Sequence, residues 1–267
     1  MSSPTTDEGL LAEDQSAIQV AEDDDENDSA IGYDASNYTA SLTASVLDYR
    51  VESGRRYTTY GRREYLFPVD EQEVDRWDMT FEVMMMATGH HLVRAPIKED
   101  PQEILDLGTG SGIWVMEAAV NGWIEIWDFD LHWYSKDKSL HPESNVAKWV
   151  ALFLEASKKV GRDPQPGPKL EGWIREAGFT DVTSELFPLP VGRWPKDEKQ
   201  KAIGALNLLQ VLQGVEAFTV RLFNVALDWT GDECQVLLAG VREDLRNTSI
   251  HALFNLHITY GRKPDTP

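Results

Sequence analysis

Cysteine is almost missing from this chain: Cys234 stands alone in 267 residues. One thiol closes no internal disulfide, which excludes a disulfide-framed scaffold and fits a reducing compartment. Basic residues are scarce, 25 Lys and Arg against 45 Asp and Glu, for a net charge of −20. Nucleic-acid binding relies on clustered Lys and Arg against phosphates, so no nucleic-acid partner is expected. The chain does not open on a basic stretch followed by an apolar run, so no signal peptide is expected. No uninterrupted run of about 18 apolar residues occurs either, so no membrane span is expected. A compact Lys/Arg cluster of the import-signal type is also lacking, and a cytoplasmic location is the expectation, with the nucleus as the alternative.

What is present suffices for a core: 42% of residues are hydrophobic, nine of them tryptophan. Residues 1–30 hold ten Asp or Glu, no Lys or Arg and no aromatic residue. Such a segment buries too little apolar surface to offset its ordering entropy. Residues 1–35 therefore read as a disordered acidic tail, and 36–267 as a single domain. Within it, 36–100 reads as an N-terminal helical cap and 101–267 as an α/β core. Apolar spacing predicts helices over 38–52, 71–91 and 146–160, and a short one in "PKLEGWIREAGF". In the 71–91 helix the expected core stripe is Val74, Trp77, Phe81, Met84 and Met85. Further helices are expected over 196–227 and in "DECQVLLAGVREDL". Strands are expected at 103, over 123–130, in "TDVTSELFPLPVG" and in "IHALFNLHITYGRKP". This order argues for a sheet with helical covering.

The most informative stretch is "ILDLGTGSGIW", 104–114. An apolar strand ends at Asp106 and Leu107, and Gly108, Gly110 and Gly112 let the backbone turn tightly and approach a ligand. The helix that follows offers free N–H groups and a positive dipole end. A nicotinamide site wants GxGxxG and an acid about 20 residues on. Here the spacing is GxGxG, and an acid precedes the glycines. That acid repels a pyrophosphate but suits the sulfonium and amino groups of S-adenosylmethionine.

Three collinear stretches now resemble one family. "ESGRRYTTYGRREYLFPVDEQEVDRWDM" (52–79), "RAPIKEDPQEILDLGTGSGIW" (94–114) and "NGWIEIWDFDLHWYSKDKSL" (121–140) are similar to signatures of the LaeA-like methyltransferases of filamentous fungi. Arg55, Tyr57, Tyr60, Pro68, Asp70, Glu71, Asp75, Arg76 and Asp78 match the first signature. Val69 stands where Asn is usual, and Phe81 where His is common. The resemblance spans roughly 38–262. It implies a Rossmann-like class I methyltransferase fold and S-adenosylmethionine as cofactor. Asp106, Gly108, Thr109, Gly110, Gly112 and Tyr57 are then the expected cofactor positions. The expected partner is a small-molecule substrate or a protein of the same pathway.

In that family strands two to four lie between the glycine loop and the strand that "NGWIEIWDFD" resembles. Here Val120 runs directly into Asn121 and Gly122. The acid that grips the ribose and the acidic pair at the adenine have no counterpart. Only 15 residues run from Gly108 to Gly122, enough for one short crossover helix. Strand 104–107 is thus expected to pair directly, and in parallel, with 123–130. About four core strands, near 104, 123, 181 and 253, would replace seven, leaving Trp114, Val115 or Trp127 underpacked.

No nucleophile–base pair stands out, so the catalytic residues are unassigned. Tyr57, Tyr60, His132 and Tyr134 are candidates on the cleft rim, and Asp128 and Asp130 are candidates to face a cleft. His90 and His91 read as a helix cap rather than a metal site, His251 and His257 as isolated, and no metal is expected. Two functional readings follow. One is an S-adenosylmethionine-dependent methyltransferase of fungal secondary metabolism acting on a small molecule. The other is an inactive, methyltransferase-derived accessory or regulatory protein. A skipped exon would leave the same join at Val120.

Overall fold

The computed structural model describes residues 49–59, 65–97 and 122–264, all within the compact unit Thr43–Pro267. The acidic tail, residues 38–48, the strand near 104 and the glycine motif lie outside the described residues.

The first described element corrects an expectation. Tyr49–Glu52 is not helix but strand β1, paired antiparallel with β2, Arg55–Thr58. Ser53 and Gly54 both take positive φ, 50° and 76°. That left-handed pair closes a two-residue hairpin whose twist matches its strands, so a local turn overrides the helical spacing. Among the described residues the N-terminal cap therefore comprises a hairpin and a helix.

That helix, α1, spans Glu71–Thr88. The Asp70 carboxylate caps it by accepting the Glu73 N–H at 3.1 Å. Gly89, at φ 74°, ends it before the predicted residue 91, and the His90 N–H donates to the Met85 carbonyl. The expected apolar stripe is met at its far end, where Met85 is buried and Met84 packs against the core, and corrected at its start. Val74 is 44% exposed, while Glu73, Arg76, Thr80 and Val83 are buried. Spacings of three and four put these residues on one face. That face buries polar groups because they bond one another and the helix beneath.

Helix α2 covers Asn145–Lys159, capped by the Ser144 hydroxyl, and lies within one residue of its prediction. A 3₁₀ turn, Gly167–Lys169, leads into α3, Leu170–Glu176. Strand β4 is Thr180–Pro190, α4 is Glu198–Leu227, α5 is Gly231–Arg246 and β5 is Leu253–Arg262. Helix α5 opens on a reciprocal capping box between Thr230 and Glu233.

Strand β3 runs Trp123–Tyr134, four residues past its predicted end, with a register shift after Asp130. The sheet order is β3–β5–β4, and β5 is antiparallel to both neighbours. Three of the four expected strands thus form one small antiparallel sheet. The parallel pairing of 104–107 with 123–130 falls outside the described residues. Directly opposed residues share a face. Trp127, Ile258 and Glu185 therefore point one way, with Phe129, Leu256 and Phe187 beside them. That face meets the helices. Trp127 packs against the core, so the expectation that it would be underpacked is corrected.

Helix α4 is the spine, packed by α1, α2, α5 and β4. Among the described residues it is the helix long and apolar enough to cross a membrane by length and composition. Half of its apolar window is buried inside the protein, which accounts for that apolarity as core packing.

Candidate functional site

The first signature builds a joint between the hairpin, α1 and α4. Arg55 grips the Asp70 carboxylate in two places, at 2.7 and 2.8 Å. Asp70 also accepts the Arg56 N–H at 3.2 Å. The Arg55 hydrogen bond holds the Asp70 carboxyl below the usual carboxylate range, against a smaller upward push from burial. Tyr57 is 3% exposed and lies under the Arg221 guanidinium, 4.6 Å from the ring centre. Arg221 in turn reaches Glu52 at 2.9 Å. Burial raises the Tyr57 phenol above its ordinary pKa. Among its described neighbours Tyr57 therefore serves as a packing and cation–π partner.

The second signature begins at Arg94, and the sheet anchors it there. Glu125, on β3, accepts the Arg94 and Ala95 N–H groups at 2.9 and 2.6 Å, and the Trp127 indole N–H at 2.5 Å. Burial raises the Glu125 carboxyl, and these three donors oppose that shift. The Arg94 guanidinium meets Glu185 on β4 at 2.6 Å. One residue thus bridges both outer strands over Tyr260 of β5, since Glu125 stands directly opposite Tyr260.

A cleft of about 680 Å³ opens at the carboxyl end of β3, against α2. Its polar lining is His132, Tyr134, Ser135, Lys138 and His141; Trp133, Leu140, Val150 and Leu154 supply most of its apolar wall. That volume falls in the range of small-molecule sites. The cleft brings together two of the expected candidates, His132 and Tyr134. The Tyr134 hydroxyl donates to Asn255 at 2.9 Å. Burial raises its pKa, a shift the Asn255 bond reduces. Asp128 and Asp130 share the opposite sheet face with His257 and Asn255 and are not among the cleft-lining residues. Asp130 instead accepts from Gln165 at 3.2 Å and from the His132 N–H at 3.1 Å. Burial raises the Asp128 carboxyl and lowers the His257 pKa. Gly167 sits against His257 so closely that a Cβ there would lie 2.6 Å from the ring.

His251, which looks isolated in the sequence, has a partner 114 residues away. Its Nδ1 lies 2.5 Å from an Asp137 carboxylate oxygen, and its N–H donates to the Ser139 hydroxyl at 2.8 Å. The ring stacks on Trp194 at 4.9 Å. These contacts pin the 135–141 loop that forms one wall of the cleft. Bonds from the Ser139 hydroxyl and amide, then from His251, bring the Asp137 carboxyl down to about 2. A lowered carboxyl favours the folded loop above its ordinary value of about 3.9. The advantage is lost as pH falls through about 2. An NMR titration of the Asp137 carboxyl should therefore report a midpoint near 2, rising towards its usual range in Ser139→Ala. An ordinary midpoint in the unaltered protein would mean the pinning contacts are not made in solution.

Tyr60 and the glycine-motif positions Asp106, Gly108, Thr109, Gly110 and Gly112 lie outside the described residues. His90 caps through its backbone rather than its ring, and among the described residues no three His, Cys, Asp or Glu are grouped to hold a metal ion. Residues 135–140 close the third signature, but nothing in its sequence singles out Lys138, or joins Asp137 to His251 or His141 to the cleft. Only the fold joins them.

No protein-family model matches the chain. Individual relatives do. Methyltransferase pytC of Aspergillus terreus is 31% identical over 86% of this chain and 93% of its own length. The probable methyltransferase tdiE of Emericella nidulans is 36% identical over 55% of this chain and 46% of its own. Secondary metabolism regulator LAE1 of Cochliobolus heterostrophus is 25% identical over 80% of this chain and 94% of its own. The pytC alignment has 301 positions but takes in 86% of 267 residues, about 230, so about 71 positions face no residue here. With near full-length similarity to pytC and collinear signatures, the chain belongs to the LaeA-like methyltransferases of filamentous fungi, a group tied to secondary metabolism.

Proposed function

We propose that this protein binds S-adenosylmethionine and transfers its methyl group to a small molecule in a secondary-metabolite pathway. The observation that carries the reading is the small-molecule-sized cleft at the carboxyl end of β3, in a chain whose relatives are methyltransferases. The cofactor supplies an electrophilic methyl group. Asp106, Gly108, Thr109, Gly110 and Gly112 would hold it, with a carboxylate chemistry that suits its cationic head. Glu125 contributes by fixing Arg94 and Ala95, so the segment leading to the motif starts from a set place on the sheet. His132 and Tyr134 orient the acceptor in the cleft. Positioning of this kind is worth up to about 7–11 kcal/mol of the barrier. The cytoplasm is the proposed location, supported by the lone Cys234 and the shortage of basic residues.

We also infer a shortened Rossmann-like core lacking the family's strands two to four. The roughly 71 unmatched alignment positions support it. That loss favours the second reading, an inactive accessory protein, because the ribose and adenine contacts go with it. Thermal unfolding with and without S-adenosylmethionine separates the two. At 100 times its dissociation constant a ligand stabilises by about 2.7 kcal/mol, roughly 5–10 °C for a domain of this size. A shift abolished in Asp106→Ala is the expected result. A cooperative transition that the cofactor leaves unmoved favours the accessory protein.

A further inference from the structure

The cleft is electrostatically unlike the rest of the molecule. Asp and Glu outnumber Lys and Arg by 45 to 25 in the chain, yet among the described residues no carboxylate lines the cleft, and the one formal charge they bring to it is the Lys138 ammonium. The nearby acids are engaged elsewhere. Asp130 accepts from Gln165, Asp137 binds His251, and Glu143 pairs with Lys148 at 3.1 Å. Lys138 itself takes a left-handed backbone, φ 65°, in the turn where the Ser139 N–H bonds back to Asp137. The remaining polar lining among the described residues, His132, Tyr134, Ser135 and His141, presents hydrogen-bonding groups and no carboxylate that would repel an anion.

We infer that the cleft takes an apolar, ring-sized molecule bearing one ionised oxygen acid, a carboxylate or an acidic hydroxyl, with Lys138 as its counter-charge. This rests on the methyl-transfer reading only in naming that oxygen as the acceptor. Transfer to it forms an O–CH₃ bond and breaks the donor's S–CH₃ bond, the electron pair staying on sulfur. An acceptor already ionised has no proton to remove, which fits a cleft whose described residues build no nucleophile–base pair. A charge-assisted hydrogen bond is among the stronger polar contacts, so acid and ester forms of one ligand should be well separated.

The test is calorimetric binding of 2-naphthoate and methyl 2-naphthoate to the full chain at pH 7. The acid is expected to bind at least tenfold more tightly than the ester. Lys138→Gln should remove most of that preference and leave ester binding unchanged. Because glycine favours the left-handed region, Lys138→Gly should do the same without strain at that turn. Ala151→Trp, at an exposed lining position, should abolish binding of both. Equal affinity for acid and ester would overturn the inference. So would acid binding that ignores Lys138→Gln and Ala151→Trp. If 2-naphthoate behaves as expected but S-adenosylmethionine gives no thermal shift, the methyl-transfer reading fails and the cleft assignment stands. If the cofactor shifts the transition but acid and ester bind alike, the cleft assignment fails alone.

Discussion

Arg76→Ala is expected to destabilise the protein by about 3–5 kcal/mol, the usual cost of leaving one partner of a buried ion pair alone. Arg76 and Glu73 are 2% and 3% exposed. The guanidinium grips both Glu73 oxygens, at 3.1 and 2.7 Å, and donates to Thr80 and to Gln210 at 3.1 Å each. Gln210 continues the network to Asn207, and Asn207 to the Pro190 carbonyl at the end of β4. The Arg76 guanidinium also sits 4.6 Å from the Phe218 ring centre, over its face. Gly214 makes the room: a Cβ there would lie 2.9 Å from Arg76 Cδ. Alanine removes these four hydrogen bonds and, among the described residues, leaves the Glu73 carboxylate with Arg55 as its nearest cation, at 3.9 Å. The midpoint of thermal unfolding should fall by roughly 10 °C. The pair need not be a net gain over apolar residues of the same volume, so Glu73→Gln combined with Arg76→Met should cost much less than Arg76→Ala alone. A loss below about 1 kcal/mol in the single variant would mean the pair is solvated rather than buried.

Trp133→Ala should cost a similar amount, about 3–5 kcal/mol, and it joins core to cleft. The indole is 8% exposed. It stacks on Phe254 at 5.3 Å and meets Trp149 edge-on at 5.9 Å. Trp149 is held in turn by its N–H bond to Thr219 at 2.7 Å. Because Trp133 also lines the cleft, the void left by alanine opens to water. That places the loss in the lower half of the range, below that of a sealed cavity. Urea unfolding should show a lower midpoint with an unchanged slope, and Trp133→Phe should recover most of the loss. A Trp133→Ala midpoint equal to that of the unaltered protein would show that the stacked cluster is not formed.

Much of the architecture is readable from local chemistry. Asp70, Ser144, Asp197 and Thr230 each place a side-chain oxygen on the first turn of a helix, and such caps are visible as residue types before any fold is known. Gly89, Gly161 and Gly178, all at positive φ, mark endings for the same reason. The failures are equally specific. At 49–52 a helical spacing lost to a two-residue turn, since hairpin formation depends on Ser53 and Gly54 rather than on the apolar pattern before them. In α1 the apolar stripe was met at Met84 and Met85 but failed at Val74, where Glu73 and Arg76 take the buried positions instead. Hydrophobicity alone cannot show that Glu73 and Arg76 satisfy each other.

The family and, from Glu71 onward among the described residues, the order of the main elements follow from the sequence alone, because caps, turns and signatures act over a few residues and need no distant partner. The acidic balance and the lone cysteine are likewise settled by counting. What only the tertiary structure decided are the pairings across long separations. These are β5 entering between β3 and β4, Arg94 spanning Glu125 and Glu185, and His251 meeting Asp137 across 114 residues. The cleft belongs to this second group. Lys138 and His141 become lining residues because the end of β3, the loop after it and α2 converge, and convergence is a property of packing that no single segment carries.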